Sequence, residues 1–583
     1  MLNNNLTWKT SPCSHSEWSQ SDLVRVRLRA FISPLLVRVL SGLSPIQGLR
    51  AVVRETSGHQ LLEVRKADLS ILLRHQCWSI LTDRCGFLVV AVQIWDRHGL
   101  RKCLNLTALN KHGRVYDDAQ FGCLSWSECE NKLLYVAEKI KNTSIEKHDG
   151  ESPCRKDRSV YCEDWGESLT NKSVPVICVV NLQSGSISVL QGVPHDVSPG
   201  QALWAPSSQS VFLVGWYHEP FRLGLRFYLY LLVVFRLLCS GFPSSLIFFV
   251  FVVASSAGFY DLPDYGSWKL LTVQKDLMVV CCSSPNTPPT LRVGFLPSAG
   301  ETVTWQTLQQ PVMTFDFHWT VLDVTTPPEE DNTHYSGLDF GAVLVKPSRP
   351  PIEAKTPLVV FIHGGPHSQF PAEWNCTTAG LAKLGFAVLM VNYRGSTGFG
   401  QDSILSLIGQ IGSQDVKDVQ TAVRTALQRD IALDPNRLAV IGGSHGGFLS
   451  CHLVGQYPEF YRACAARNPV INAATLLGTS DIVDCVGIQY SYDQIPTAEA
   501  LAAMLEKSPI THAAQIKAPV LLMLGGRDRR VSPHQGLELY KALKSRASPV
   551  RLLWFPEDGH SLSRVDTQAD CFLNTVLWLH QHL

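Results

Sequence analysis

The strongest constraint on the fold is an alternation of apolar runs and amphipathic helical segments between residue 335 and the C-terminus. The apolar runs are short and contain almost no polar residues, as expected of parallel strands that are buried on both faces. The segment 414–427 places apolar residues at helical spacing. This alternation predicts a mostly parallel sheet wrapped by helices. The predicted strands cover residues 358–362, 386–391, 438–441, 520–524 and 550–554.

A nucleophile motif follows the third of these strands. Residues 442–446 read Gly-Gly-Ser-His-Gly, which matches the pattern Gly-x-Ser-x-Gly. The glycines permit the tight turn that presents a serine hydroxyl between a strand and a helix. The motif also occurs by chance, but here it has the strand before it and a helical segment after it. The sequence therefore predicts an α/β-hydrolase domain in which Ser444 is the nucleophile.

An acid and a base follow Ser444 in the order that such a fold requires. Asp528 comes just after the strand 520–524, and His560 comes after the strand 550–554. We predict that His560 takes the proton of Ser444 and that Asp528 orients the imidazole. Taken alone, His560 could be a surface histidine, and Asp528 could be a turn residue or an ion-pair partner of a neighbouring arginine.

An oxyanion hole is the remaining requirement of this chemistry. The backbone N–H of His445, directly after the nucleophile, is the first predicted donor. The second donor should lie on the glycine-rich loop after the strand 358–362, where the sequence reads His363-Gly364-Gly365. We select Gly365, with Gly364 as the alternative.

The sequence upstream of the hydrolase has a different pattern of residues. From about residue 103 to 300, short β-type runs alternate with turn residues, and segments 124–137 and 203–216 resemble each other. Repeated strand–turn–strand units are typical of β-propeller blades, although hairpins of a sandwich have the same pattern. Proline-rich segments near 327 and 350 mark a boundary. We predict three regions: an N-terminal region at 1–102, an incomplete β-propeller at 103–325 and the hydrolase at 335–583.

The segment 227–254 does not fit this organisation. It contains two apolar runs separated by Arg236 and a stretch with Gly241 and Pro243. Each run is about half the roughly 20 residues that a membrane-spanning helix needs. Three interpretations stay open: a membrane span, a pair of buried strands, or a segment introduced by an incorrect or alternative reading of the gene. We favour the third.

Composition excludes several function classes. The formal net charge of the 583 residues is +1, which gives no reason to expect binding to nucleic acid. The 17 cysteines have no metal-site spacing, so we expect no metal, no cofactor and no disulfide framework. The N-terminus shows no secretory signal, and we expect a cytoplasmic protein.

Five segments together resemble the prolyl oligopeptidase family of serine peptidases, and within it the acylaminoacyl-peptidase branch. They include Phe-Ile-His-Gly-Gly-Pro-His-Ser and Gly-Gly-Ser-His-Gly-Gly. The five segments lie at residues 361–368, 391–402, 442–447, 466–472 and 521–531.

This resemblance implies a propeller that caps the hydrolase, and a homo-oligomeric, cytoplasmic exopeptidase that does not bind membranes. It also implies that the enzyme releases an N-acylamino acid from short N-acylated peptides. A family propeller is longer than the region available here, so the propeller is expected to be incomplete. A carboxylesterase or another peptidase of the family is the alternative activity, and a non-catalytic or misfolded membrane-associated chain is the alternative from another class.

Overall fold

The structure is a computed structural model that describes residues 49–583 with interruptions. The described residues belong to two compact units, residues 1–115 with 180–189 and residues 116–179 with 190–583, which are treated separately below. The interruptions are 57–58, 67–74, 83–87, 97–98, 107–108, 119–120, 141–163, 206–209, 219–231, 239–265, 275–276, 297–302, 309–314, 349–354 and 483–496.

The N-terminal half consists of short β-strands. Apart from the short 3₁₀ turn at Glu167–Leu169, the described residues before 317 contain strands and loops. The strands are β1 (Leu49–Thr56), β2 (His59–Lys66), β3 (His75–Thr82), β4 (Leu88–Asp96), β5 (Gly99–Asn105), β6 (Leu124–Trp126), β7 (Lys132–Glu138), β8 (Pro175–Asn181), β9 (Ile187–Val189), β10 (Val197–Trp204), β11 (Ser210–Tyr217), β12 (Leu232–Leu238), β13 (Ser267–Gln274), β14 (Leu277–Ser284), β15 (Thr287–Phe295) and β16 (Gln306–Thr307).

These strands form small antiparallel sheets of the kind found in propeller blades. The first unit contains the pair β1–β2 and the sheet β3–β4–β5. The second unit contains β6–β7–β8, β10–β11–β12 and β13–β14–β15–β16. The two similar segments of the sequence are confirmed as strand–turn–strand hairpins, β6–β7 and β10–β11. Aromatic residues pack between these two hairpins, with the rings of Phe121 and Trp216 4.9 Å apart.

The apolar segment 227–254 is described only in part. Residues Leu232–Leu238 form β12, which pairs antiparallel with β11 along its whole length. The second apolar run lies outside the described residues. In the part of the chain that the structure describes, no helix has the length and apolar character needed to cross a bilayer. The predicted region limits at residues 103, 325 and 335 stay predictions.

The C-terminal half contains one eight-stranded sheet, in the order β17–β18–β20–β19–β21–β22–β23–β24. The first two connections, β17–β18 and β18–β20, are antiparallel, and all the others are parallel. Its strands are β17 (Phe317–Val324), β18 (Phe340–Pro347), β19 (Thr356–Ile362), β20 (Ala387–Asn392), β21 (Leu433–Gly443), β22 (Ala463–Arg467), β23 (Val520–Gly525) and β24 (Val550–Phe555).

Helices cover both faces of this sheet. They are α1 (Cys376–Lys383), α2 (Gln401–Leu407), α3 (Gln414–Arg429), α4 (His445–Gln456), α5 (Ala473–Leu476), α6 (Ala498–Glu506), α7 (His534–Ser545) and α8 (Val565–His582), with 3₁₀ turns at Pro328–Glu330 and Pro509–Gln515. Alternate residues of β19 face opposite cores: Leu358 packs with residues of α3, α4 and α7, whereas Val359 packs with α1 and α8. Burial on both faces explains why strands such as β19, β20 and β23 read as continuous apolar runs.

The predicted sheet wrapped by helices is confirmed. Four of the five predicted strands lie within observed ones, and the fifth, 386–391, begins one residue before β20. The sequence did not reveal β22, which reads Ala-Cys-Ala-Ala-Arg and lacks the β-branched and aromatic residues that signal a strand. Its small side chains fit because β21 and β23 flank it on both sides. The parallel strands β19, β21, β22, β23 and β24 are neighbours, so the loops at their carboxyl ends converge on one edge.

Candidate active site

The turn between β21 and α4 carries Ser444. Its backbone has φ 57° and ψ −121°, a combination that L-residues rarely adopt and that is kept only where the surrounding fold enforces it. The Ser444 N–H donates to the carbonyl oxygen of Arg467 at 2.9 Å, and the Phe448 N–H donates to the Ser444 carbonyl oxygen at 3.0 Å. These bonds fix the turn that the sequence motif predicts.

Close backbone contacts explain the glycines of the motif. A β-carbon on Gly446 would lie 2.2 Å from the carbonyl oxygen of Ile362, and one on Gly442 would lie 2.3 Å from the carbonyl oxygen of Gly446. Any side chain at either position would therefore displace backbone. The two glycines bring the start of α4 against the end of β19, where the predicted oxyanion loop begins.

Asp528 and His560 are brought together as predicted. The Nδ1 of His560 lies 2.7 Å from Oδ2 of Asp528. The Asp528 side chain is fully buried, whereas that of His560 is 20% exposed. The other carboxylate oxygen of Asp528 accepts the N–H groups of Arg530 at 2.9 Å and Val531 at 2.8 Å. Asp528 is thus held as an acceptor, which places the imidazole proton on Nδ1 and leaves Nε2 as the base.

No hydrogen bond joins Ser444 Oγ to His560 Nε2 among the residues described. Such bonds are often long in unliganded enzymes and tighten when substrate binds. Ser444 and His560 are held by the same segment, because residues 467–470 form hydrogen bonds to the backbone of both. The triad is therefore assembled on one edge of the sheet, with its acid–base pair formed.

The predicted oxyanion loop lies beside the nucleophile. A β-carbon on Gly364 would be 3.3 Å from the β-carbon of Ser444, so this glycine lies against the reactive side chain. Gly365 has φ 132°, in the region that favours glycine. His445 is the first residue of α4, and N–H groups of a first helical turn have no acceptor within the helix. His445 and the alternative donor Gly364 thus lie beside Ser444, and the assignment of Gly365 as the second donor stays a prediction.

A buried histidine fixes this loop. His363 Nδ1 donates to the Gly364 carbonyl oxygen at 2.8 Å, and its Nε2 lies 2.8 Å from the hydroxyl oxygen of Ser396, which itself donates to the Tyr393 carbonyl oxygen at 2.6 Å. Its ring stacks on that of Tyr393, with centroids 4.5 Å apart. Burial lowers the pKa of His363 to about 4. The imidazole is therefore neutral at physiological pH and serves as a rigid support for the loop.

A second Asp–His pair lies beneath the nucleophile, and sequence reasoning missed it. His445 Nε2 donates to Asp415 Oδ2 at 2.8 Å, and both side chains are buried. Asp415 also accepts the N–H groups of Gly412 at 2.8 Å and Val416 at 3.0 Å. The pair joins the start of α3 to the start of α4. It fixes the residue whose backbone N–H is the first predicted oxyanion donor.

Glu167, on the short 3₁₀ turn of the N-terminal half, reaches the catalytic loops. Its carboxylate accepts the backbone N–H of His560 at 2.7 Å and that of Arg529 at 2.8 Å. Its own N–H donates to Asp481 at 2.6 Å, and Asp481 also forms an ion pair with Arg530 at 3.1 Å. A charged acceptor thus holds the backbone on both sides of the Asp528–His560 pair.

The sequence carried one faint signal for this contact. A β-carbon on Gly559 would lie 2.2 Å from the Glu167 carboxylate, so any side chain at this position would displace that carboxylate from its bonds to the two backbone N–H groups. The sequence places this glycine directly before His560, but it does not identify the neighbour, because 393 residues separate Glu167 from His560.

The described residues contain no group of three or more His, Cys, Asp or Glu side chains that could hold a metal ion.

A buried histidine in α4 predicts a pH-dependent stability. His452 Nε2 donates to the Lys507 carbonyl oxygen at 3.1 Å, and its Nδ1 accepts from Gln456 at 2.9 Å. Burial lowers the pKa of His452 from 6.5 to about 3. Between those pH values the unfolded chain binds a proton that the folded chain does not. The contribution of His452 to stability is thus complete above pH 6.5 and is lost as the pH falls, by about 1.4 kcal/mol per pH unit.

We expect the free energy of unfolding of the parent to fall more steeply between about pH 7.5 and about pH 5 than that of His452→Gln. Denaturant unfolding at both pH values measures this difference. His334→Gln, which removes an exposed histidine, should keep the slope of the parent. Equal slopes for the parent and His452→Gln would contradict the prediction.

Comparisons with known families cover most of the chain. Residues 372–583 match the prolyl oligopeptidase family, and residues 46–232 match the N-terminal domain of acylamino-acid-releasing enzyme. The acylamino-acid-releasing enzyme of Mus musculus is 42% identical over 689 aligned residues, which cover 98% of this chain and 93% of that protein. The enzyme of Homo sapiens matches with the same identity and coverage.

Solved structures confirm the fold class. An acylaminoacyl peptidase of Pyrococcus horikoshii superposes with a TM-score of 0.54 at 14% sequence identity, covering 87% of this chain and 93% of that one. At this identity the likeness concerns the fold alone. Together with the family matches, it confirms an α/β-hydrolase domain that is preceded by propeller-type sheets.

Proposed function

Because the chain belongs to the acylamino-acid-releasing enzymes of the prolyl oligopeptidase family of serine peptidases, we propose that it hydrolyses the first peptide bond of short N-acylated peptides. The product would be an N-acylamino acid. The observation that carries this proposal is the 42% identity that extends over 98% of this chain and 93% of the mouse relative. Similarity at this level includes both the hydrolase and the N-terminal domain.

The geometry supports an acyl-enzyme mechanism. Ser444 Oγ attacks the carbonyl carbon of the acylated residue while His560 Nε2 takes the hydroxyl proton. The oxyanion is stabilised by the N–H groups of His445 and Gly365, and the imidazolium by Asp528. His560 then protonates the amine of the leaving peptide. Water attacks the acyl-enzyme by the same route and releases the N-acylamino acid from Ser444.

The charges beside the site favour a substrate with a neutral N-terminus. A free amino terminus is a cation, and its burial calls for an unoccupied carboxylate. Beside the His560 loop, Glu167 accepts two backbone N–H groups, and Asp481 is occupied by Arg530 and by the Glu167 N–H. Both carboxylates are thus already engaged in hydrogen bonds or ion pairs within the protein. An acylated N-terminus carries no charge and needs neither of them.

Matched peptides test the substrate class. We expect kcat/KM for an N-acetylated tripeptide to exceed that for the same tripeptide with a free amine by about 100-fold or more. Mass spectrometry should identify the N-acetylamino acid as the product. Equal rates on both peptides would contradict the proposal. Hydrolysis of a simple aryl ester without cleavage of either peptide would favour a carboxylesterase.

We also propose that the protein is a cytoplasmic homo-oligomer without membrane association, on the basis of the family resemblance. Sedimentation velocity of the full chain tests the oligomeric state, since a monomer at micromolar concentration would contradict it. Fractionation of cells that express the chain tests the location, and recovery in the membrane pellet would contradict it.

A further inference from the structure

The end of β22 and the residues that follow it form hydrogen bonds to the backbone of Ser444, of His560 and of the strand that leads to Asp528. The Arg467 carbonyl oxygen accepts the Ser444 N–H at 2.9 Å, and the Val470 N–H donates to the Ser444 carbonyl oxygen at 3.4 Å. Between them lies Asn468, whose side chain is directed away from Ser444 toward the loops of Asp528 and His560. Asn468 thus lies between the nucleophile turn and the loops that carry Asp528 and His560.

Asn468 makes a hydrogen bond with each of the two catalytic loops. Its Oδ1 accepts the Gly525 N–H at 2.8 Å, at the end of the strand that leads to Asp528. Its Nδ2 donates to the His560 carbonyl oxygen at 2.8 Å. Its backbone N–H donates to the Met523 carbonyl oxygen at 2.9 Å. The residue is 2% exposed, so these bonds are shielded from water.

The position has requirements that asparagine meets. Its φ is 40°, in the left-handed region that asparagine tolerates better than most residues. The site also needs an acceptor and a donor on one short side chain. Aspartate would place a carboxylate oxygen against the His560 carbonyl oxygen, and glycine would accept the backbone angle but provide neither bond.

We propose that Asn468 is a positioning residue, which sets the distance between the Asp528 and His560 loops and thereby the direction of the His560 imidazole. The backbone of His560 is then held from both sides, because Glu167 accepts its N–H and Asn468 donates to its carbonyl oxygen. This inference rests on the proposed roles of Asp528 and His560. The rate of proton transfer depends steeply on the position of the base. Loss of Asn468 should therefore lower kcat, the rate of the chemical step, rather than raise KM.

Two variants test the inference. Asn468→Gly removes both side-chain bonds and keeps the backbone conformation accessible. Asn468→Asp retains the acceptor for the Gly525 N–H and loses the donor to His560. It therefore tests the positioning role if the glycine variant fails to fold. For each, kcat and KM for an N-acetylated peptide are determined per active site, with sites counted by fluorophosphonate titration. We expect kcat to fall by about 10- to 100-fold and KM to stay within about twofold.

The control is Asn472→Ala. Asn472 is also buried and caps α5, but its side chain bonds to Thr475 and Glu538 rather than to a triad loop. It should lower the melting temperature without lowering kcat per site, and the acid limb of the kcat/KM profile should move only in the Asn468 variants. Parental kcat per site in the folded Asn468 variants, or an equal loss in Asn472→Ala, would overturn the inference. A parent chain that takes no label and turns over no peptide would instead refute the proposed function.

Discussion

Replacement of Ser444 by alanine is expected to lower kcat by about 10⁴- to 10⁶-fold while the fold is retained. The strained turn is held by backbone bonds to Arg467 and Phe448 that do not involve the hydroxyl. Alanine has the same backbone preferences near this turn and occupies less volume, so the melting temperature should change little. Turnover of an N-acetylated peptide and thermal unfolding, measured on the same preparation, test both halves of this prediction.

Ser450 provides the matched control. It is also a buried serine near the start of α4, and its hydroxyl donates to the Gly446 carbonyl oxygen at 2.7 Å. Ser450→Ala should therefore affect stability slightly and leave kcat within a few-fold of the parent. If Ser444→Ala retains more than about one per cent of the parental kcat, the nucleophile is another residue.

Replacement of Asp528 by asparagine is expected to lower kcat by about 10⁴-fold. An asparagine oxygen can still accept the N–H groups of Arg530 and Val531, so the loop should keep its shape. The amide nitrogen would then face Nδ1 of His560, which stabilises the tautomer that carries its proton on Nε2. His560 Nε2 could then no longer accept the Ser444 proton, although the side chains keep their positions. The variant should show parental KM and melting temperature with a greatly reduced kcat.

Asp558 is the corresponding control. It is buried in the loop before His560, but its carboxylate accepts from Thr567 at 2.7 Å and from the Arg564 N–H at 3.3 Å. Asp558→Asn removes a negative charge near His560 without altering the hydrogen bond to Nδ1. It should retain most of the activity. A similar loss in both aspartate variants would indicate that the charge, rather than the orientation of the imidazole, is what the site requires.

The elements that could be predicted from the sequence have local signals. Strands such as β19 and β23 are buried on both faces, and this burial selects apolar residues without interruption. Ser444 and Asp528 each follow such a strand, and His560 follows the partly exposed edge strand β24, so the positions of all three could be inferred from strand ends. Strand β22 has no such signal, since its alanines are small enough to be packed between neighbours in many kinds of structure.

The supporting residues of the site could not be predicted, because their partners are distant in sequence. Glu167 contacts a backbone 393 residues away, and Asn468 contacts one 92 residues away. Asp415 is 30 residues from His445 and reads as an ordinary acidic residue in the first turn of a helix. Each contact forms only when the eight-stranded sheet is assembled and the loops at its edge are brought together.

The N-terminal half shows where sequence reasoning is weakest. The family match of this half ends at residue 232, within the apolar segment 227–254. The alignment with the mouse enzyme spans 689 positions, whereas this chain has 583 residues, so part of the relative has no counterpart here. This difference supports the expectation of an incomplete propeller. The β12–β11 pairing supports the interpretation of the first apolar run as a strand.

Covalent labelling of the full chain tests the nucleophile and the substrate class together. A fluorophosphonate should modify the purified protein, and peptide mapping should place the adduct on Ser444. An N-acetylated peptide should slow the labelling, whereas the same peptide with a free amine should not. Adduct on another residue, a folded chain that takes no label, or equal protection by both peptides would contradict a Ser444-dependent enzyme specific for acylated N-termini.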